Sequence, residues 1–341
     1  MENTLFLDAL AGKNFSGRPP VWLMRQAGRY MPQYRKIREK YQFLEMCKTP
    51  EIATEVTLQP VNAFGVDAAI LFSDILVIPD ALDTGLRFEE GAGPIIDKPV
   101  RSSTDIPNLP SHSMKEKLSY VGQAIQLLKK ELKIPLIGFA GGPFTVASYM
   151  IEGASSKTLR NTKKWMLRDP DSFHRLLRKL TNDTIEYIEM QIDAGVDAIQ
   201  IFDSWAHVLS HRHFKEFSLT YLKSIANAVK AKDCPSILFC RGSSVFAPQL
   251  AEAQPSCIGI DWNADLATVR KIIPNDIALQ GNLDPDILYA PKESLVKEVN
   301  STLFTMQHSP NHIFNLGHGI APDVSPDAVK TLVDTIKNYV P

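Results

Sequence analysis

The chain has 341 residues, of which 44% are hydrophobic and 22% charged, ordinary proportions for a globular protein. That length allows one large α/β domain or two medium ones, with a sizeable core. A formal net charge of -1 excludes a global field for nucleic acid or an anionic membrane, so any anion recognition is local.

From the N terminus, MENTLFLDALAGKNF lacks the basic start and long apolar stretch of a signal peptide. No later apolar run is long enough to cross a bilayer. Short apolar, β-branched runs then alternate with longer amphipathic stretches. The first run, PVWLM (20–24), exits into Arg25-Gln26-Ala27-Gly28-Arg29, two guanidiniums four residues apart with a glycine before the second. DAAILFS (67–73) ends on Ser73-Asp74, and IPLIGFA (134–140) leads to Gly141-Gly142 and, further on, Tyr149. The stretch 172–195 carries apolar residues at three- and four-residue spacing, opened by Asp-Pro and closed by Gly195, which predicts a long helix. DAIQIFD (197–203) is followed by Ser204 and His207, PSILFC (235–240) by Arg241-Gly242, and SCIGID (256–261) ends on Asp261. DIALQG (276–281) runs into Asn282, and HIFNLG (312–317) into His318-Gly319.

Eight strand candidates alternating with helices predict one α/β domain over 1–341, a (β/α)₈ TIM barrel. FGVDAAILFSD (64–74) echoes AGVDAIQIFDS (194–204), through shared βα punctuation or an ancestral duplication. The segment 77–110 breaks the alternation. It is rich in Pro, Gly and Asp yet keeps Ile, Leu, Val and Phe, so it predicts a β-hairpin or loop insertion after the second strand, turning at EEGAGP. Cys47, Cys234, Cys240 and Cys257 form no C-x-x-C pair and read as free thiols in a reducing cytosol.

In such a barrel, function collects at the C-terminal ends of the strands. The residues there include three arginines, several glycines and few carboxylates. Arginine offers a planar fork to carboxylate or phosphate, and glycine lets a ligand approach closely. The inventory points to a polyanion site with one or two acids kept for a specific task. Each residue also has a structural reading: Arg25 and Arg29 as rim salt bridges, Asp74 as a helix cap, Tyr149 as a core phenol, Ser204 as a cap. His207 and His211 are four apart, but no third ligand accompanies them, so no metal site is expected.

PVWLMRQAGRYMPQYR, ILFSDILVIP, GGPFTVASYMIEG, IQIFDSWA and FNLGHGIAPD together resemble the uroporphyrinogen decarboxylase family of tetrapyrrole biosynthesis, from near residue 5 to the C terminus. The resemblance implies a single (β/α)₈ barrel, a cytoplasmic homodimer with neither metal nor organic cofactor, and uroporphyrinogen III as substrate. Four acetate side chains would lose their carboxyl groups to give coproporphyrinogen III and carbon dioxide. It further implies that Arg25, Gln26, Ala27, Gly28 and Arg29 contact the substrate, that Asp74 accepts the pyrrole N–H groups, and that Tyr149, Ser204 and His318 supply the remaining polar contacts. Tyr34 would be an aromatic neighbour of the pocket. Arg25 and Asp74 are the expected catalytic residues.

The chemistry is consistent with that list. Loss of carbon dioxide leaves an electron pair that needs a sink. A pyrrole protonated on the ring carbon next to nitrogen is such a sink, and a carboxylate beneath the nitrogens would stabilise the cation. The proton donor is left open among Arg25, Asp74, Tyr149, His318 and a water. Two other functions fit parts of the pattern: a zinc-dependent methyltransferase relative using Cys240, and a non-catalytic binder of polycarboxylates.

Overall fold

The structure is a computed structural model that describes residues 3–89 and 91–340. Its centre is a curled parallel sheet of seven strands: β1 (Ala69–Ile70), β4 (Leu136–Gly141), β5 (Ala198–Phe202), β6 (Ser236–Phe239), β7 (Cys257–Gly259), β8 (Ala278–Gln280) and β9 (His312–Ile313), hydrogen-bonded in that order. Each strand is followed by helix, which covers the outer face. Strands covered on both faces need no polar alternation, so the sequence writes them as largely apolar runs. Seven of the eight runs become strands of this sheet. The eighth, PVWLM, lies between its two ends: Val21 bridges Phe314 in parallel, and its carbonyl accepts the Asp67 N–H at 2.7 Å.

The two remaining strands, β2 (Leu86–Glu89) and β3 (Gly93–Ile96), pair antiparallel as the expected hairpin. Its EEGAGP turn includes residue 90, outside the described residues. The insertion is tied down, because Ile96 N–H bonds Gly153 O at 2.8 Å and Val100 N–H bonds Met150 O at 3.0 Å. Short helices at Val77–Ala81 and Met114–Lys117 flank the hairpin, elements too short to show a helical period in sequence.

Three apolar clusters form the core. The innermost holds Trp22, Met24, Ile137, Ala198, Ile237, Phe239, Ala278 and Ile313 inside the curl of the sheet, with Phe6 and Leu10 of the helix Leu5–Leu10. Polar groups inside it are paired: Trp22 Nε1 donates to Gln280 Oε1 at 2.9 Å, and Gln280 Nε2 to Gln200 Oε1 at 3.3 Å. The long predicted helix spans Pro170–Ala194, where the Asp169 side chain accepts Ser172 N–H and Gly195 closes it at φ 115°. Among the described residues no helix is long and apolar enough to cross a membrane.

Candidate active site

The site is assembled at the C-terminal ends of the strands. Past Val21 the chain makes a tight turn, with Gln26 N–H bonding Leu23 O at 2.9 Å. Arg25 sits at φ 61°, a left-handed conformation that a side chain adopts only at a cost of order 1 kcal/mol. Neighbouring elements hold that turn: Met24 N–H bonds Asn315 Oδ1 at 3.0 Å, and Ile320 N–H bonds Met24 O at 3.0 Å. The turn lays the Arg25 side chain across Gly319, where a Cβ would come within 2.6 Å of Arg25 Cγ and 2.9 Å of Nε. The guanidinium reaches solvent, yet it is surrounded by protein. Desolvation, with the charge of Arg29, lowers its pKa, while Tyr149 and Asp74 act in the opposite direction.

Asp74 follows β1, half-buried, and its Oδ1 accepts Leu76 N–H at 2.8 Å. Burial raises its pKa to about 6, against the lowering effects of the Leu76 hydrogen bond and the Arg25 charge. Tyr149, on the helix Pro143–Glu152, has its phenol raised by burial and is within electrostatic reach of both Asp74 and Arg25. Its ring meets Trp205 edge-on at 6.2 Å.

Ser204 lies at the tip of β5, beside the fully buried Asp203. The Asp203 carboxylate accepts Thr145 N–H at 2.8 Å and Ser218 Oγ–H at 2.6 Å, and Trp205 N–H bonds Thr145 Oγ1 at 2.9 Å. Ser218 belongs to a π-helical turn, Lys215–Leu219, of the kind often found at functional sites. Gly142 must lack a side chain here, because a Cβ would meet the Asp203 side chain at 2.5 Å. His318 is wedged against Phe239 and Trp262 at ring distances of 6.3 and 6.2 Å. Burial, then Arg25 and Arg241, lower its pKa to about 4, so its imidazole is neutral near pH 7.

The expected residues therefore converge, but in two manners. Arg25, Asp74 and Tyr149 act on one another electrostatically, His318 is acted on by Arg25, and Ser204 borders them through Trp205. Arg29 is exposed on the same turn and acts on Arg25. Gln26 is buried, with its amide committed to the framework: Oε1 accepts Leu23 N–H at 3.1 Å and Nε2 donates to Ala68 O at 3.3 Å. Ala27 and Gly28 are half-buried, and a Cβ on Gly28 would crowd Arg25 O at 3.2 Å. Tyr34 is buried and starts an aromatic row with Phe72, Phe43 and Phe88, at 5.8, 5.8 and 4.7 Å, which joins the pocket side of β1 to the hairpin.

Two groups are missing from the expected set. Arg241, at the tip of β6, acts on both His207 and His318. Its loop is fastened by the buried Asp261, which accepts Gly242 N–H at 2.8 Å and Ser244 N–H at 3.1 Å. Gly319 is the floor under Arg25. Both stood at strand exits in the sequence, and the strand-end rule alone would have selected them. His207 and His211 do not converge: His207 Nδ1 donates to Ser204 O at 2.8 Å, while His211 faces Gln249 at 2.5 Å. Among the described residues no three His, Cys, Asp or Glu side chains are grouped to hold a metal ion. A shallow open cleft lined by Asn3, Asp8, Arg18 and Lys337 lies at the opposite, N-terminal ends of the strands, away from every expected site residue.

Residues 1–339 match the family described as uroporphyrinogen decarboxylase (URO-D). The chain is similar to a uroporphyrinogen decarboxylase of Protochlamydia amoebophila, 56% identical over 98% of this chain and 92% of the relative. A second, from Chloroherpeton thalassium, is 46% identical over 99% of this chain and 97% of the relative. Among solved structures, a methyltransferase from Methanosarcina mazei superposes with a TM-score of 0.83 at 20% identity, covering 98% of both chains. At that identity the likeness shows the fold alone.

Proposed function

The chain belongs to the uroporphyrinogen decarboxylase family and decarboxylates uroporphyrinogen in heme biosynthesis, and from that premise we propose how its rim residues do so. The substrate is uroporphyrinogen III and the product coproporphyrinogen III. Arg25, Arg29 and Arg241 grip the acidic periphery of the macrocycle, and Asp74 accepts the pyrrole N–H groups at its middle. The observation that carries this reading is the setting of Asp74: a carboxylate with its pKa raised to about 6, beside Arg25 and at the end of a strand.

An anion in that position stabilises the pyrrole cation formed when a ring carbon takes a proton. The C–C bond to the carboxylate then breaks, its electron pair forms a double bond from the exocyclic carbon to the ring and neutralises the cation, and carbon dioxide leaves. The exocyclic carbon then takes up a proton to become the methyl group while the ring carbon gives up its added one. Ionised Asp74 faces a charge that exists only along the reaction path, so its interaction lowers the barrier more than it tightens binding. Neutral His318 and the Tyr149 hydroxyl orient carboxylates by hydrogen bonds, as does Ser204. With a pKa of about 4, His318 is a poor reservoir of protons near neutrality. Ala27 and Gly28 offer close backbone approach, and Gln26 serves by holding the turn. The pyrrole is its own electron sink, so no organic cofactor or metal is required by this mechanism.

The same reading takes PVWLM as the eighth stave that closes a (β/α)₈ barrel, supported by its bridges to Phe314 and Asp67, with β2–β3 as the insertion along the pocket. It also takes the protein as a cytoplasmic homodimer, which sedimentation of the purified protein tests.

The deciding experiment is carbon dioxide release from uroporphyrinogen III under anaerobic, reducing conditions, with chromatography of the products. Asp74→Asn is expected to lower kcat by roughly 10²–10³-fold while substrate binding changes little. Full turnover by that variant would refute the cation-stabilising role. Arg29→Ala is expected to raise the dissociation constant with a smaller effect on kcat.

A further inference from the structure

Four buried hydroxyls form no geometrically complete hydrogen bond among the described residues: Ser73 Oγ, Tyr120 OH, Thr184 Oγ1 and Tyr187 OH, although the Tyr187 hydroxyl lies close enough to Ser73 to interact with it. Native proteins leave few such groups, because each costs about 1–3 kcal/mol when unpaired. These four come from three elements packed on one another. Ser73 precedes Asp74 in the chain. Thr184 and Tyr187 are three residues apart on one face of the helix Pro170–Ala194. Tyr120 lies in the first turn of the helix Ser119–Glu131, which packs against it.

The Tyr187 hydroxyl stands next to Ser73, and Tyr120 is in electrostatic reach of Tyr187, Asp74, Cys47 and Asp80. Asp80 in turn is ion-paired with Lys48 at 2.7 Å, and the Lys48 side chain is 44% exposed. Electrostatic neighbours thus run from Asp74 and Ser73 through Tyr187 and Tyr120 to Asp80, which is paired with the partly exposed Lys48.

We propose that these hydroxyls, with water bridging them, are a proton relay that leads from the surface at Asp80–Lys48 to Asp74. The inference rests on the placement of Asp74 beneath the substrate given above. Each acetate that becomes a methyl group takes up one proton: the C–C bond breaks, carbon dioxide leaves, and a new C–H bond forms. Four protons are consumed per macrocycle, while the macrocycle covers the open mouth. Solvent hydronium supplies them at the far end. Each hydroxyl accepts one proton and passes on its own, so none needs to ionise. That matches the phenols of Tyr120 and Tyr187, which burial pushes well above their ordinary range. Buried water with about three partners would satisfy the hydroxyls when no proton moves.

Ser73, Tyr120 and Tyr187 are positioning residues that act through Asp74, so the test needs a readout that packing does not move. Tyr187→Phe and Tyr120→Phe, singly and together, remove hydroxyls that form no geometrically complete hydrogen bond in the protein and keep the rings. The expected result is an unchanged or higher melting temperature, an unchanged KM, a kcat lower by roughly ten-fold or more, and a larger solvent deuterium isotope effect on kcat. Intermediates with five to seven carboxylates are expected to accumulate, because the later steps wait for protons. Ser73→Ala, a smaller change, is expected to show the same isotope signature should a Phe variant fold poorly. A double Phe variant with wild-type kcat and isotope effect overturns the relay, as does a lower kcat with an unchanged isotope effect. Asp74→Asn, run alongside, separates the two ideas: if it retains turnover, the placement of Asp74 itself fails.

Discussion

Asp74 carries a cost that its position imposes. Its folded pKa of about 6 stands above the ordinary 3.8, so the folded state favours the protonated form. The stability it contributes is therefore fully present below pH 4 and is lost as pH rises through about 6. Near pH 7.5 the half-buried carboxylate costs on the order of 2 kcal/mol. Asp74→Asn is expected to raise the melting temperature at pH 7.5, with a gain that shrinks toward pH 4. In the proposed mechanism catalysis depends on the anion, so kcat/KM is expected to fall as pH drops through about 6, and the limb should be absent from the residual activity of Asp74→Asn. Gly319 makes a second prediction at this scale. The three atoms nearest an added Cβ all belong to the Arg25 side chain, which can swing away. Gly319→Ala is therefore expected to unfold within about 1 kcal/mol of the wild type but to lose kcat/KM by roughly ten-fold or more. An unaltered kcat/KM would show that Arg25 need not lie where it does.

The elements differ in how well the sequence announced them. The strands did so as largely apolar runs, and the helix Pro170–Ala194 by its period and its two caps. The hairpin was readable as an insertion that kept apolar residues. The π-helical turn Lys215–Leu219 had no readable sign, because one extra residue per turn leaves the apolar spacing nearly unchanged. Yet that turn delivers Ser218 to Asp203, and through Asp203 holds the Ser204 tip against the helix Pro143–Glu152. Asp203→Ala would leave the Thr145 N–H and Ser218 hydroxyl buried without an acceptor. A loss of about 2–4 kcal/mol in chemical denaturation is expected, with a rise in KM from the loosened Ser204. Stability equal to wild type would contradict the assigned role of that carboxylate.

At the scale of the whole molecule, the sheet is joined across PVWLM by one buried acid. Asp67 accepts Arg18 Nη1 at 2.7 Å and Nη2 at 3.0 Å, Val21 N–H at 2.9 Å and Asn3 Nδ2 at 3.0 Å. This links the N-terminal segment to β1 at the end opposite the site. Asp67→Ala leaves a partly buried guanidinium and a backbone N–H without their acceptor, and is expected to cost about 3 kcal/mol. The effect should appear in thermal melts, with kcat of the folded fraction preserved. Loss of kcat without loss of stability would place Asp67 in the catalytic machinery instead.

By itself the sequence determined the alternation of buried strands and helices, a net charge of only -1, and the acids and arginines that stand at strand exits. These follow from local period and composition, which need no partner to be read. Only the tertiary structure decided that Arg25 lies over Gly319, that Gln26 turns inward while Arg29 stays exposed, that Arg241 acts on His207 and His318, and that Asp74 carries a pKa near 6. Such properties arise from groups tens to hundreds of residues apart along the chain, and desolvation or mutual charge exists only once folding has brought them together.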